Sequence, residues 1–430
     1  MNQLRYGFMS AYRRLFTLAF LVNLIALATC IGLYAIKPGH FFNYSKAATA
    51  TGANLLMTAL MRHEHCINVL FRAVCLLPYR TPLYIRRHAA KIYCYGGLHS
   101  GCGVSAAFWY VLYSVLVVRD LHGTRAEVAV VSCTTGITLV ALALIVVMAH
   151  PYIRTRWHNR WEVCHRYGAW TAILMVWAQT VAIAITDAND KGVSSGRVIV
   201  RTPTFWFLCV ITICIAYPWM RMRKVKVEAE PLSTHAVRLH FNHCSLPYCV
   251  GSRLTDKPLK ETHGFATIAY ANGERGYSCL VSNGGDWTKK IIEKPPQELW
   301  IRGAPTLGVM RVATLFKPIV VVATGSGIGP CLSFISIRHD YPMRVLWSAR
   351  FPEATYGSSI MRTVLAADKD AIIIDTRRTG HPNLLQLSWA LVKESSAEAV
   401  IIISNPKVTR QVVYGLETRR VAAFGAVFDS

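Results

Sequence analysis

The stretch Pro318-Ile319-Val320-Val321-Val322-Ala323-Thr324-Gly325-Ser326-Gly327-Ile328-Gly329-Pro330-Cys331-Leu332-Ser333 decides the reading of the C-terminal part of this chain. Ile319 to Ala323 is apolar and β-branched, the pattern of a strand buried on both faces. Thr324 and three glycines follow at once. Pro330 suits the start of a helix, where its missing N–H costs nothing. Strand, glycine turn and helix together present bare backbone N–H groups and a helix N-terminus to a pyrophosphate. Gly325, Gly327 and Gly329 depart from the usual G-x-G-x-x-G, because the third glycine comes one residue early.

Working outward from that turn, strands alternate with helices. Val345–Ser348, Ala371–Asp375 and Ala399–Ser404 read as further parallel strands, with helices near 330–338, 357–367, 383–395 and 407–419. An α/β nucleotide-binding domain is therefore expected over 317–430. The strand ending Ser348-Ala349-Arg350 lacks the acidic residue that would hold a ribose 2′-hydroxyl. A serine and an arginine suit a 2′-phosphate instead, so NADPH is expected ahead of NADH.

Upstream, Lys224–Glu230 and His235–Phe241 alternate with period two, and short strand-like runs continue at Phe265–Ala269, Tyr277–Val281 and Glu298–Ile301. Turns fall at Asn272-Gly273, Asn283-Gly284-Gly285 and Gly303-Ala304-Pro305. This predicts a small antiparallel β-barrel over 223–316.

The first half has another texture. The chain is 53% hydrophobic and only 16% charged, too apolar for an ordinary soluble protein. Six apolar runs near 15–36, 50–78, 92–118, 127–149, 163–186 and 203–221 reach spanning length, which predicts a six-helix membrane domain over 1–222. No cleavable signal peptide is evident, and the first run reads as an anchor. Arg5, Arg13, Arg14, Arg80, Arg86, Arg87, Lys91, Arg154, Arg156, Arg160, Arg221, Arg223, Lys224 and Lys226 lie on one side of these runs. The opposite loops hold fewer cations, with Asp120, Glu127, Asp187 and Asp190 among them. The richer side is expected to be cytosolic, with both termini there. The formal net charge of +24 is then largely topogenic and directed at membrane lipid, and calls for no nucleic acid. Thirteen cysteines without a C-x-x-C pair read as small buried apolar residues.

Polar residues within spans are costly and mark candidate sites. His99 in Tyr95-Gly96-Gly97-Leu98-His99-Ser100-Gly101 and His165 in Trp161–Gly168 fall at similar depth on two spans. Such a pair either ligates one haem axially or packs by hydrogen bonding.

Six spans, a barrel and an α/β unit in that order resemble the ferric reductase and NADPH oxidase superfamily. His263-Gly264-Phe265-Ala266-Thr267 is similar to its flavin motif, Gly285-Asp286-Trp287-Thr288 to its Gly-Asp-Trp-Thr, and Gly380-His381-Pro382-Asn383 to its Gly-Arg-Pro-Asn. Ser404-Asn405-Pro406 stands where Cys-Gly-Pro is usual, and Val427–Ser430 stands at its aromatic C-terminus. Ala59–Arg62, Tyr95–Gly101, Ser282–Thr288 and Ser404–Arg410 look more narrowly like fungal TmpA-type integral membrane flavoproteins. The same module resembles the C-terminal part of some nonribosomal-peptide-synthetase-like adenylating proteins.

The resemblance implies a ferredoxin-reductase-like module. FAD would be held by His263, Phe265, Thr267, Trp287 and Thr288, with Ser404 beside the nicotinamide and Arg62 near a haem propionate. The family's outer histidines are missing, since Leu112 or Tyr113 and Ala178 or Gln179 stand in their place. At most one inner haem b is then implied. Ala266 lacks a hydroxyl for the flavin N5, leaving Thr267 as its substitute. The expected activity is electron transfer from NADPH through FAD to an unknown membrane-level acceptor. The alternative is a non-catalytic redox-sensing membrane scaffold that binds flavin or nucleotide.

Overall fold

The computed structural model describes residues 10–37, 42–270 and 273–426 of the chain. Asn272 and the Val427–Ser430 segment lie outside these. The chain forms two compact units, one of residues 11–63 and 95–216, the other built chiefly of residues 64–94 with 217 onward.

The first unit is helical. Ala11–Ile36, Gly96–Asp120, Arg125–Met148, His158–Lys191 and Pro203–Met220 are long and apolar enough to cross a membrane. The run expected near 50–78 is not a single helix. Tyr44–Leu60 stops at Met61, and Glu64–Cys75 is a separate helix that belongs to the second unit. The break falls on Arg62-His63-Glu64, and Glu64 is fully buried with its carboxylate 2.9 Å from Arg253. The second run is thus a 17-residue helix followed by one that begins at an ion-paired carboxylate. Among the described residues, five helices of spanning length stand where six were expected.

Burial in this unit is partly inverted. Val115, Val118, Ile137, Val140, Leu144 and Leu174 face outward, while Ser105, Ser114, Thr135 and Thr138 are buried. Each buried hydroxyl donates to the carbonyl four residues back on its own helix, so no donor is stranded. Gly101 lets the helix Ala11–Ile36 approach closely, for a Cβ there would meet the Phe16 carbonyl at 2.8 Å.

The second unit carries two sheets. The first has seven strands, β1 Arg223–Lys226, β2 Glu228–Pro231, β3 Ala236–Phe241, β4 Val250–Thr255, β5 His263–Ala269, β6 Tyr277–Ser282 and β7 Glu298–Leu307. Their order is β1-β7-β4-β5-β6-β3-β2, all pairs antiparallel. The stretch 224–230, expected as one strand, divides at Val227: β1 joins one edge and β2 the other. That single crossing curls the sheet around Val237, Leu239, Phe241, Tyr277, Val281 and Leu299. β4 carries no clean alternation in the sequence. Its Gly251 sits 3.3 Å (as a built Cβ) from the Phe265 carbonyl, and its Arg253 faces Glu64.

The second sheet is parallel: β8 Ile319–Thr324, β9 Met343–Ala349, β10 Ile372–Asp375, β11 Ala399–Ile403 and β12 Ala422–Gly425, in the order β10-β9-β8-β11-β12. Val320, Val322, Leu346, Val400 and Ile402 form its core with the helices Leu384–Ser395 and Pro406–Thr418. Because β8 is first in sequence and central, the strand order reverses between β8 and β11. Ligands of open α/β sheets bind outside the carboxyl ends of the strands at such a reversal.

Candidate nucleotide and flavin site

The reversal point is where the sequence places its glycine turn. Thr324 ends β8, Ser404 follows β11, and their hydroxyls are hydrogen-bonded at 2.7 Å. Ser404 is buried, and its carbonyl accepts from Thr409 at 3.0 Å. Gly325 holds φ +51, a conformation glycine adopts without strain. Its carbonyl accepts from Trp347 Nε1 at 3.1 Å. The Tyr356 hydroxyl lies 3.5 Å from where a Cβ on Gly325 would sit. Burial pushes the Tyr356 phenol up to about 12, so it stays protonated at neutral pH. Trp347 and Tyr356 thus brace the turn from beneath, a role without a local sequence signal.

Gly327 is required for another reason. A Cβ there would collide with the Ile403 carbonyl oxygen, so the turn can lie against the end of β11 only without a side chain. Gly329 instead packs on Leu280 of β6, at 3.4 Å for a built Cβ. The early third glycine therefore seats the helix Ile328–Ile335 on the antiparallel sheet. Pro330 lies in the first turn of that helix, where no N–H is needed.

Ser348 is buried at the end of β9, level with Thr324 in the register. Arg350 is exposed just beyond it. Asp375, opposite Ala349 at the end of β10, accepts from the Phe351 and Arg377 N–H groups, both at 3.0 Å, and lies 3.5 Å from Arg378. The Phe351 N–H, the Arg377 N–H and the two arginine charges hold its carboxyl below the usual range. Its acceptor capacity is thereby committed to protein, and Arg350, Arg377 and Arg378 make this strand edge cationic. Asp375, Arg377 and Arg378 were not singled out from sequence; the Asp-Thr-Arg-Arg run closing a predicted strand is the signal that could have found them.

On the antiparallel sheet, His263 stacks on Trp287 with ring centres 4.4 Å apart, and Phe265 stacks on the same indole at 5.8 Å. Trp287 is itself a core residue. Thr267 is fully buried and donates to the Val250 carbonyl at 3.0 Å, so its hydroxyl is spent within the sheet. Thr288 accepts from the Gly284 and Gly285 N–H groups at 2.9 and 3.0 Å, which fixes the loop before the helix Asp286–Glu293. Of the five flavin candidates, His263, Phe265 and Trp287 form one cluster. Thr267 and Thr288 serve the backbone.

In the helical unit, the rings of His99 and His165 lie 6.2 Å apart at 49°. His99 Nδ1 is 2.9 Å from the Thr58 carbonyl, which leaves Nε2 for a ligand. His165 Nδ1 is buried and has no hydrogen-bond partner among the described residues. The structure thus brings the two candidate haem-ligating histidines together in the helical unit. Further along the same helices, Tyr113 and Gln179 line a cavity of about 60 Å³. Among the described residues no group of three or more His, Cys, Asp or Glu side chains is arranged for a metal ion.

Comparison with known proteins adds the following. The family model described as Adenylate-forming reductase 03009, C-terminal domain, matches residues 309–430. Adenylate-forming reductase 03009 of Coprinopsis cinerea is 42% identical over 430 residues, which is 100% of this chain and 41% of the relative. Adenylate-forming reductase 06235 of the same organism is 41% identical over the same extent, again 41% of its length. The chain thus spans about two fifths of the length of these relatives. Among solved structures, a ferredoxin NADP+ reductase from Neisseria gonorrhoeae with bound FAD and NADP aligns with TM-score 0.39 and 14% identity, covering 48% of this chain and 98% of that one. Phthalate dioxygenase reductase aligns with TM-score 0.38 and 14% identity, covering 48% and 68%.

Proposed function

We propose that the chain is a membrane-anchored oxidoreductase module that draws electrons from cytosolic NADPH through FAD to an acceptor at the level of the membrane. The observation that carries this reading is the Thr324–Ser404 contact at the strand-order reversal, with a side-chain-free glycine turn over it. The curated relatives, which bear the name reductase, support the same chemistry.

Each part of the site has a task. The turn at Gly325 and Gly327 and the N-terminus of the helix Ile328–Ile335 face a pyrophosphate with N–H groups and a favourable dipole. Ser348 and Arg350 would hold a 2′-phosphate, with Arg377 and Arg378 adding positive potential. Ser404, at the end of β11, would sit beside the nicotinamide ring. His263, Phe265 and Trp287 offer aromatic surface to an isoalloxazine at the antiparallel sheet, in the manner of a ferredoxin-reductase-like module. When bound, FAD supplies hydride acceptance and stepwise electron release. With its hydroxyl committed to the Val250 carbonyl, Thr267 would not offer that group to a flavin.

The five long helices, together with the Tyr44–Leu60 helix, would anchor the chain in lipid, with the two-sheet unit on the cation-rich cytosolic side. His99 and His165 would hold a single haem b, which adds one-electron chemistry when present.

The test is an absorption spectrum of detergent-purified protein before and after NADPH. Flavin absorption bleached by NADPH is expected. A colourless preparation that takes up neither FAD nor FMN would end the reading. Flavin binding without NADPH oxidation would identify the nucleotide-binding scaffold instead. A Soret band lost in His99→Ala tests the haem separately.

A further inference from the structure

Residues 64–94 leave the helical unit and run across both sheets of the second unit. At the antiparallel sheet, Asn68 acts as a surrogate peptide group on the C-terminal half of β7, past the residues that pair with β1. Its amide donates to the Pro305 carbonyl at 2.9 Å and accepts from the Leu307 N–H at 2.8 Å. Ile67 and Phe71 are buried on the same helix, and Glu64 pairs with Arg253. At the parallel sheet, Arg86 is 4% exposed and spends its guanidinium on four acceptors. These are both oxygens of Glu398 at 2.8 and 3.1 Å, the Leu315 carbonyl at 2.6 Å and the Thr81 carbonyl at 2.8 Å. Glu398 immediately precedes β11 and also accepts from the Lys317 N–H and the Tyr79 hydroxyl. Further on, Lys91 reaches Glu417 and the Ala423 carbonyl of β12, both at 2.6 Å.

One segment therefore grips β7, the connector between the sheets at Leu315–Lys317, and the β11–β12 half of the parallel sheet. We propose that residues 64–94 are a strap that sets the register of the nucleotide sheet against the flavin sheet, with Arg86 as the positioning residue at its centre. Arg86 touches neither cofactor. It acts through Glu398, which leads into β11, the strand that Ser404 follows. This inference rests on the proposed NADPH–flavin reading. Reacting atoms must come within about 3–3.5 Å, and a 1 Å misplacement costs roughly 10²-fold.

The test uses the full-length chain in detergent. Arg86→Ala is compared with Arg86→Lys and, at the other end of the strap, Asn68→Leu. Flavin content, KM for NADPH and the stopped-flow rate of flavin reduction are measured, together with hydrogen exchange of the 309–318 and 398–404 amides. The expected result is a flavin reduction rate at least about 10-fold lower in Arg86→Ala and Asn68→Leu, with flavin content and KM retained. Arg86→Lys should recover part of the rate, and the connector amides should exchange faster in Arg86→Ala. Wild-type rates in both Arg86→Ala and Asn68→Leu would overturn the strap. If Arg86→Ala fails to fold, Asn68→Leu and Arg86→Lys decide it on the same rate. A wild-type protein that binds no flavin defeats the functional reading but not the strap. Hydrogen exchange then judges the strap alone, and unchanged connector protection in Arg86→Ala, or in Asn68→Leu should Arg86→Ala fail to fold, would reject it.

Discussion

The hydroxyls of Thr324 and Ser404 meet at 2.7 Å although the residues are 80 positions apart in sequence. They close the gap between the two strands on either side of the sheet's reversal, under the turn that carries Gly325 and Gly327. Removing either hydroxyl leaves its partner short of one hydrogen bond, a loss of about 1 kcal/mol. Thr324→Ala and Ser404→Ala should each lower stability by that amount, and the double variant by less than the sum. Denaturant unfolding of the three variants measures the coupling. Strictly additive losses would show that the two hydroxyls act independently.

Gly327→Ala should be the most damaging change in the turn. Its methyl group meets the Ile403 carbonyl oxygen, which is backbone and cannot swing aside. A loss of about 1–3 kcal/mol is expected, with a raised KM for NADPH. Gly329→Ala meets only the Leu280 side chain at ordinary contact distance and should be nearly neutral. Equal effects of the two substitutions on thermal unfolding would contradict this assignment.

Arg350→Ala tests cofactor choice. The side chain is exposed, so stability should change by no more than about 0.5 kcal/mol. Loss of one charge-assisted contact to a 2′-phosphate should raise the KM for NADPH on the order of 10-fold and leave NADH untouched. Steady-state kinetics with both nucleotides separates the outcomes, and a parallel rise for NADH would remove Arg350 from the phosphate site.

Glu398 makes the second unit sensitive to acid. Burial alone would raise its carboxyl, but Arg86, the Lys317 N–H and Tyr79 outweigh it and hold the group below the ordinary glutamate range. A depressed folded-state pKa gives stability that is fully present above the unfolded value, near pH 4.3, and is lost as pH falls through the lower folded value. Melting temperature should therefore fall below about pH 4, and Glu398→Gln should be less stable at neutral pH with a flatter acid limb. An identical acid limb in Glu398→Gln would show that other carboxylates control it.

What could be read without coordinates was local. Ile319–Ala323, the glycines and Pro330 announce a strand, a turn and a helix start because each signal lies within a few residues of the next. The same holds for β9, β10 and β11, whose short apolar runs need no partner to be recognised. β12 escaped notice because Ala422-Ala423-Phe424-Gly425 has no strand pattern of its own and is a strand through its pairing with β11. Likewise, the absence of histidine at Leu112, Tyr113, Ala178 and Gln179 is plain in the sequence, yet the cavity that Tyr113 and Gln179 line needed the packing.

The chain's own residues set out an apolar helical part, an antiparallel sheet and a nucleotide-type α/β sheet in order, since periodicity and glycine chemistry are properties of short segments. Folding alone assigned 64–94 to the two-sheet unit and brought Arg86 onto Glu398 across 312 positions. It also tied the Thr267 hydroxyl to Val250 and stacked Trp287 against both His263 and Phe265. Those outcomes depend on which distant groups compete for the same buried hydrogen bonds and charges, and no local pattern records that competition.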